Sequence, residues 1–167
     1  MNLGEALVRQ LHDFLKKESQ GSDKERQYVF ETLLDTFKIM LTVKDFDKFS
    51  FVLERVELSQ PGQQRLSIDK LQHQAEALIN KITYLLEPFR LVELDAANLK
   101  IQLRSKHPEK QGSKISFYEI LLVATPAQTF VRYQYDNHDQ VRKPQPFHVT
   151  NEILVKLIND MTVSLES

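Results

Sequence analysis

The side chains able to do chemistry in this sequence stand apart from one another. Glu119 is a lone carboxylate inside the apolar run 117–124. A carboxylate in such surroundings needs a cation, and Arg104 and Arg132 are the nearest ones in the pattern. The plainer alternative is a cross-strand ion pair on an exposed sheet face. Glu93 and Asp95 stand two apart near a strand end, where paired carboxylates could do acid–base work. His73 and Glu76 are three apart on a helix and could put two metal ligands on one face, but a site needs a third, and Gln72 and Gln74 beside them fit a solvated face. Asp136, His138 and Asp139 offer cation donors in the loop YDNHDQ. That loop lacks the glycine of an EF-hand, and its composition is that of a solvated turn. His12, His107 and His148 are scattered.

Motifs for other chemistries are missing. There is no Cys, so thiolate nucleophiles and Cys-based metal sites are excluded. No G-x-S-x-G elbow is present, and the four glycines form neither G-x-G-x-x-G nor a Walker sequence. Hence no metal or cofactor is expected, and the chain leans away from being an enzyme. The net charge of −1, from 22 Lys and Arg against 23 Asp and Glu, gives no general field for nucleic acid, which is not expected as a partner. Residues 96–143 hold eight Lys and Arg against four Asp and Glu, a modest local excess. Glu5 and Arg9 interrupt the N-terminal apolar pattern, unlike a signal peptide, and no apolar run reaches membrane-spanning length. The expectation is a cytoplasmic protein with no membrane partner.

Periodicity gives the elements that would position these residues. Leu3, Leu7, Leu11, Phe14 and Leu15 predict a helix over 2–19, capped by Asn2 with Glu5. Ser22-x-x-Glu25 reads as a capping box for a second helix to about residue 43, with a stripe of Val29, Phe30, Leu33, Phe37, Met40 and Leu41. Together they predict an N-terminal helical hairpin over 1–45, set on an α+β body over 46–167. Residues 44–58 fit both periods, with the strand reading preferred over 50–58; Pro61 and Gly62 turn the chain toward a returning strand at 65–68. A helix follows over 69–86, then strands at 89–95, 99–105, 114–124 and 129–136. Polar loops are read at 106–113 and 136–145, and Thr150 caps a last helix over 151–165. The fold class is therefore α+β, an antiparallel meander of four to six strands with helices on one face, preceded by the hairpin. The element order is loosely similar to TATA-binding-protein-like, helix-grip and secretion-chaperone folds, a likeness of order alone.

With a four-residue loop placing Ala124 opposite Thr129, Tyr118, Ile120 and Leu122 join Val131, Tyr133 and Tyr135 on a core face. The other face then carries Lys100, Gln102, Arg104, Phe117, Glu119, Phe130, Arg132 and Gln134, an Arg-and-aromatic surface of the kind that supplies interface hot spots. Antiparallel sheets also commonly show a polar face to water alone. The leading expectation is a non-enzymatic protein-interaction or adaptor module, with a protein partner or self-association into a homodimer. The alternative is a small-molecule-binding domain whose cavity, between sheet and helices, is lined by Tyr118, Tyr133 and Tyr135.

Overall fold

A computed structural model describes residues 2–20, 26–106 and 108–166. The chain runs through α1 (Leu3–Glu18), β1 (Tyr28–Leu34), β2 (Phe37–Phe46), β3 (Ser50–Ser59), α2 (Ile68–Lys81), β4 (Phe89–Asp95), β5 (Lys100–Ser105), β6 (Glu109–Gln111), β7 (Lys114–Val123), β8 (Ala127–Asp136), β9 (Val141–Pro144), β10 (Phe147–Thr150) and α3 (Asn151–Glu166). One antiparallel sheet of ten strands among the described residues is built on the order β1-β2-β3-β8-β7-β5-β4, with β10, β6 and β9 paired to β3, β7 and β8. Where β3 and β8 part, β10 pairs with the first half of β3 and β9 with the last part of β8. The α+β class stands as expected, with more strands than the four to six anticipated.

All three helices pack on one face of the sheet. Their apolar stripes, Leu7, Leu11 and Leu15 on α1, Leu71, Ala75 and Leu78 on α2, and Leu154, Leu157, Ile158 and Met161 on α3, meet Phe37, Ile39, Leu41, Phe51, Val56, Ile101, Leu103, Ile120 and Phe130 in one continuous core. Asn2 and Thr150 cap α1 and α3 as the sequence shows, and Ser67 caps α2. The Asn2 side chain accepts from Glu5 N, Ser67 from Lys70 N, and Thr150 Oγ1 from Ile153 N at 3.2 Å. Among the described residues no helix packs on the opposite, open face of the sheet.

Several expectations are corrected. The second N-terminal helix does not form; residues 28–46 are instead a β-hairpin within the main sheet. Phe37, Ile39, Leu41 and Val43 alternate, all fully buried, and Asp35, at φ 56°, makes the two-residue turn. β-branched and aromatic residues favour this period of two over the helical stripe. The domain division at 45/46 therefore falls at the end of a strand of that same sheet. Gly21 and the proposed capping box, Ser22 to Glu25, lie outside the described residues, as does His107. The segment 65–68 does not return as a strand, because β3 is already paired with β2 and β8. Helix α2 stops at Lys81, short of 86, and Leu86 takes φ 65° before Pro88. Both polar loops contain short strands, β6 and β9, which pair with strands at the end of the β7–β8 hairpin.

The last correction bears on function. The β7–β8 turn is Ala124-Thr125-Pro126, with Val123 opposite Ala127 and Ile120 opposite Phe130. The register differs from the expected one by an odd number of residues, which turns every side chain of β8 to the other face. Phe130, Arg132 and Gln134 lie on the helix-covered side; Val131, Tyr133 and Tyr135 lie on the open side.

Candidate binding surface on the open face of the sheet

Strand β8 presents its more apolar set of residues away from the helices and its more polar set toward them. The polar set is accommodated by specific partners. Gln128 Nε2 donates to Ser164 Oγ at 2.7 Å. The Arg132 side chain, only 7% exposed, pairs with Glu87 at 3.2 Å and Glu109 at 3.4 Å, and its guanidinium lies 4.4 Å from the Tyr118 ring centroid. Ser105 Oγ donates to Glu87 Oε1 at 2.9 Å and accepts from Tyr118 N, closing the network. Burial pushes the Tyr118 hydroxyl pKa up, against the lowering pull of Arg132. The Tyr118 ring is packed against Phe89, Phe130 and Phe147 at centroid distances of 6.4, 5.4 and 5.8 Å, so these rings occupy the space between sheet and helices.

On the open face, cross-strand register brings Arg90 of β4 opposite Arg104 of β5, Arg104 opposite Glu119 of β7, Phe117 opposite Tyr133 of β8, and Tyr135 opposite Arg142 of β9. Glu119 is the hub. Its side chain is 9% exposed although no helix covers it, because neighbouring side chains close over it. Gln102 Nε2 and Arg104 Nη2, the latter at 3.3 Å, donate to Oε1, and Arg142 Nη2 donates to Oε2. The two guanidiniums are held from the other side by rings. That of Arg104 lies 4.4 Å from the Phe117 centroid, and that of Arg142 lies 3.5 Å from the Tyr133 centroid. Such stacking orients a guanidinium while leaving donors at its edge free.

Beside this cluster lies a depression of about 460 Å³ lined by Arg90, Arg104, Ser105, Pro108, Ile115, Phe117, Tyr135, Asn137 and Arg142. Among the described residues, three arginines and no carboxylate line it. Glu119 neutralises one of the three charges. Arg90 is exposed and has no ion-pair partner among the described residues, and Arg104 Nε is buried without an acceptor.

Of the surface residues read from sequence, the structure brings together Lys100, Gln102, Arg104 and Glu119 on the open face. Phe130, fully buried, and Arg132 and Gln134 belong to the other side. Tyr118 is likewise separated by the sheet from Tyr133 and Tyr135, so the three do not line one cavity. Sequence reasoning missed Arg90, Tyr133 and Arg142 as members of the open-face cluster. Arg142 lies in the short strand 141–144, which has no alternation to mark it and reads as a polar loop; Tyr133 was lost with the register. Glu93 shares the open face opposite Gln102, whereas Asp95 accepts from the Asn98 side-chain amide at 2.8 Å and from Asn98 N at 3.0 Å as a turn cap, which holds its carboxyl below the usual range. Asp136 is also a turn cap, accepting from His138 N and Ser113 Oγ. Among the described residues no three His, Asp or Glu side chains gather as metal ligands do, and no helix is long and apolar enough to cross a membrane. No protein-family model matches this chain, and no curated protein or solved structure matches it either.

Proposed function

We propose that this chain is a non-enzymatic protein-interaction module that takes an acidic segment of a partner protein on the open face of its sheet. The observation that carries the reading is the inverted placement of β8. Local patterning would put Val131, Tyr133 and Tyr135 inside and the polar set outside; the fold does the reverse, at the cost of burying Arg132 and Gln128. A departure of this kind from local consistency is expected where a surface has a use. Tyr133 and Tyr135, half-buried on that face, and Arg104 and Arg142, stacked on the buried Phe117 and on Tyr133, combine aromatic and guanidinium groups, the types that dominate interface energetics. The excess of arginine over carboxylate around the depression selects an acidic partner over a basic one. The small-molecule alternative finds less support, since aromatic rings fill the region around Tyr118 between sheet and helices. The partner is sought in the cytoplasm.

Selection from a displayed random-peptide library against the full chain tests this. Enriched peptides should carry Asp or Glu next to an aromatic or aliphatic residue. The enrichment should disappear with an Arg104→Gln/Arg142→Gln chain that retains the wild-type circular dichroism spectrum. Enrichment of basic or uncharged peptides, or acidic enrichment that survives the double substitution, would refute the reading.

A further inference from the structure

The charge and donor inventory of the depression points beyond a generic acidic partner. Arg90, Arg104 and Arg142 contribute three positive charges, and Glu119, set beneath the cluster, removes one. Two remain, with no other carboxylate on the lining. A single carboxylate would leave one of them unmatched and offers two acceptor oxygens. A phosphoryl group carries about 1.5 to 2 negative charges near neutral pH and three acceptor oxygens. The donors are present in matching supply. The Arg90 guanidinium is exposed and has no hydrogen-bond or ion-pair partner among the described residues, and Arg104 and Arg142 each use one nitrogen on Glu119. Arg90 and Arg104 also stand directly opposite each other on adjacent strands. Like charges so placed repel, and a bound dianion would turn that repulsion into shared attraction. Phe117, Ile115, Tyr135 and Pro108 supply an apolar floor for the residue bearing the group and its neighbours.

We propose that the depression between Arg90, Arg104 and Arg142 binds a phosphorylated side chain of the partner protein. This rests on the acidic-partner reading above and narrows it. The binding is a charge-assisted, bidentate-capable contact of guanidinium with phosphate, the geometry for which arginine is suited.

The test uses the full chain and fluorescent peptide pools that are degenerate except at the centre, which is phosphoserine, phosphotyrosine, glutamate or serine. Binding is read by anisotropy, with inorganic phosphate and phosphoinositide-containing vesicles as separate arms. At least one phosphorylated pool should bind about tenfold or more tighter than the glutamate pool, and Arg90→Gln and Arg142→Gln should each remove about tenfold, the scale of a lost charge-assisted hydrogen bond. Arg90 is exposed and unpaired, so its substitution leaves the fold intact, and circular dichroism checks this. If glutamate and phosphorylated pools bind equally, and both need the arginines, the phosphoryl assignment is overturned and the acidic-partner reading stands. If no pool binds, or binding ignores both substitutions, both are overturned. Binding of vesicles or of inorganic phosphate without binding of phosphopeptides overturns a protein-borne phosphate.

Discussion

Replacing Glu119 by Gln keeps the shape of the hub and removes its charge. Both carboxylate oxygens are used in the native cluster, by Arg104 on one side and Arg142 on the other. Two charge-assisted hydrogen bonds at about 1.5–3 kcal/mol each would give about 3–6 kcal/mol. Each guanidinium, however, keeps 35% of its side-chain surface in water. Screening at that exposure reduces the sum roughly by half, so Glu119→Gln should cost about 1.5–3 kcal/mol. For a chain of this size that is a fall in Tm of about 3–10 °C. Urea denaturation followed by far-UV circular dichroism measures the free energy, and the loss should shrink at high salt as the native attraction is screened. A double-mutant cycle with Arg142→Gln should return a coupling of about 1 kcal/mol. A Glu119→Gln chain within about 0.5 kcal/mol of wild type, the range of an ordinary surface substitution, with no coupling to Arg142, would refute the hub.

Other substitutions probe the frame around it. Arg90→Gln relieves the repulsion opposite Arg104 and should raise stability by a few tenths of a kcal/mol, while weakening binding; a fall in stability in the same urea titration would mean that Arg90 is held by an attraction. Gly4→Ala places a Cβ against the Val155 carbonyl oxygen and 2.9 Å from its Cα, where α1 crosses α3. Forcing the helices apart should cost about 1–3 kcal/mol, measurable by thermal denaturation. At alkaline pH, burial raises the pKa of Tyr84, helped by its bond to Asp160 at 2.8 Å, and burial likewise raises that of Tyr118. A raised folded pKa means that the folded state holds its proton more tightly than the unfolded one. This contribution to stability is therefore complete below about pH 10 and is lost as the pH rises above it. Urea titrations from pH 9 upward should show that decline, and Tyr84→Phe and Tyr118→Phe should each flatten it.

The helices were readable because their stripes and caps agree, as Asn2, Ser67 and Thr150 show at three helix starts. Residues 28–43 were misread because Phe30, Leu33, Phe37 and Leu41 satisfy a helical period while Phe37, Ile39, Leu41 and Val43 satisfy a strand period, and the hairpin turn at Asp35-Thr36 lacks the glycine that marks most tight turns. Half of the surface was legible. Lys100, Gln102 and Arg104 alternate cleanly with Ile101 and Leu103, and Glu119 stands out against its apolar neighbours. The other half depended on the β7–β8 register, which the loop sequence alone does not fix; the buried pairings of Gln128 with Ser164 and Arg132 with Glu87 join residues 36 and 45 positions apart. Such long-range polar partners make an inward-facing polar strand tolerable, and no local pattern announces them.

The central claim is that partners meet the open face of the sheet, and a backbone-amide NMR titration of the full chain with the phosphoserine-centred peptide pool tests it most directly. Perturbed amides should gather on β5, β7, β8 and β9 around Arg104, Phe117, Tyr133 and Arg142, and the pattern should vanish in an Arg90→Gln/Arg142→Gln chain. Perturbations confined to the outer surfaces of α1, α2 and α3, or a pattern unchanged by the arginine substitutions, would contradict the account.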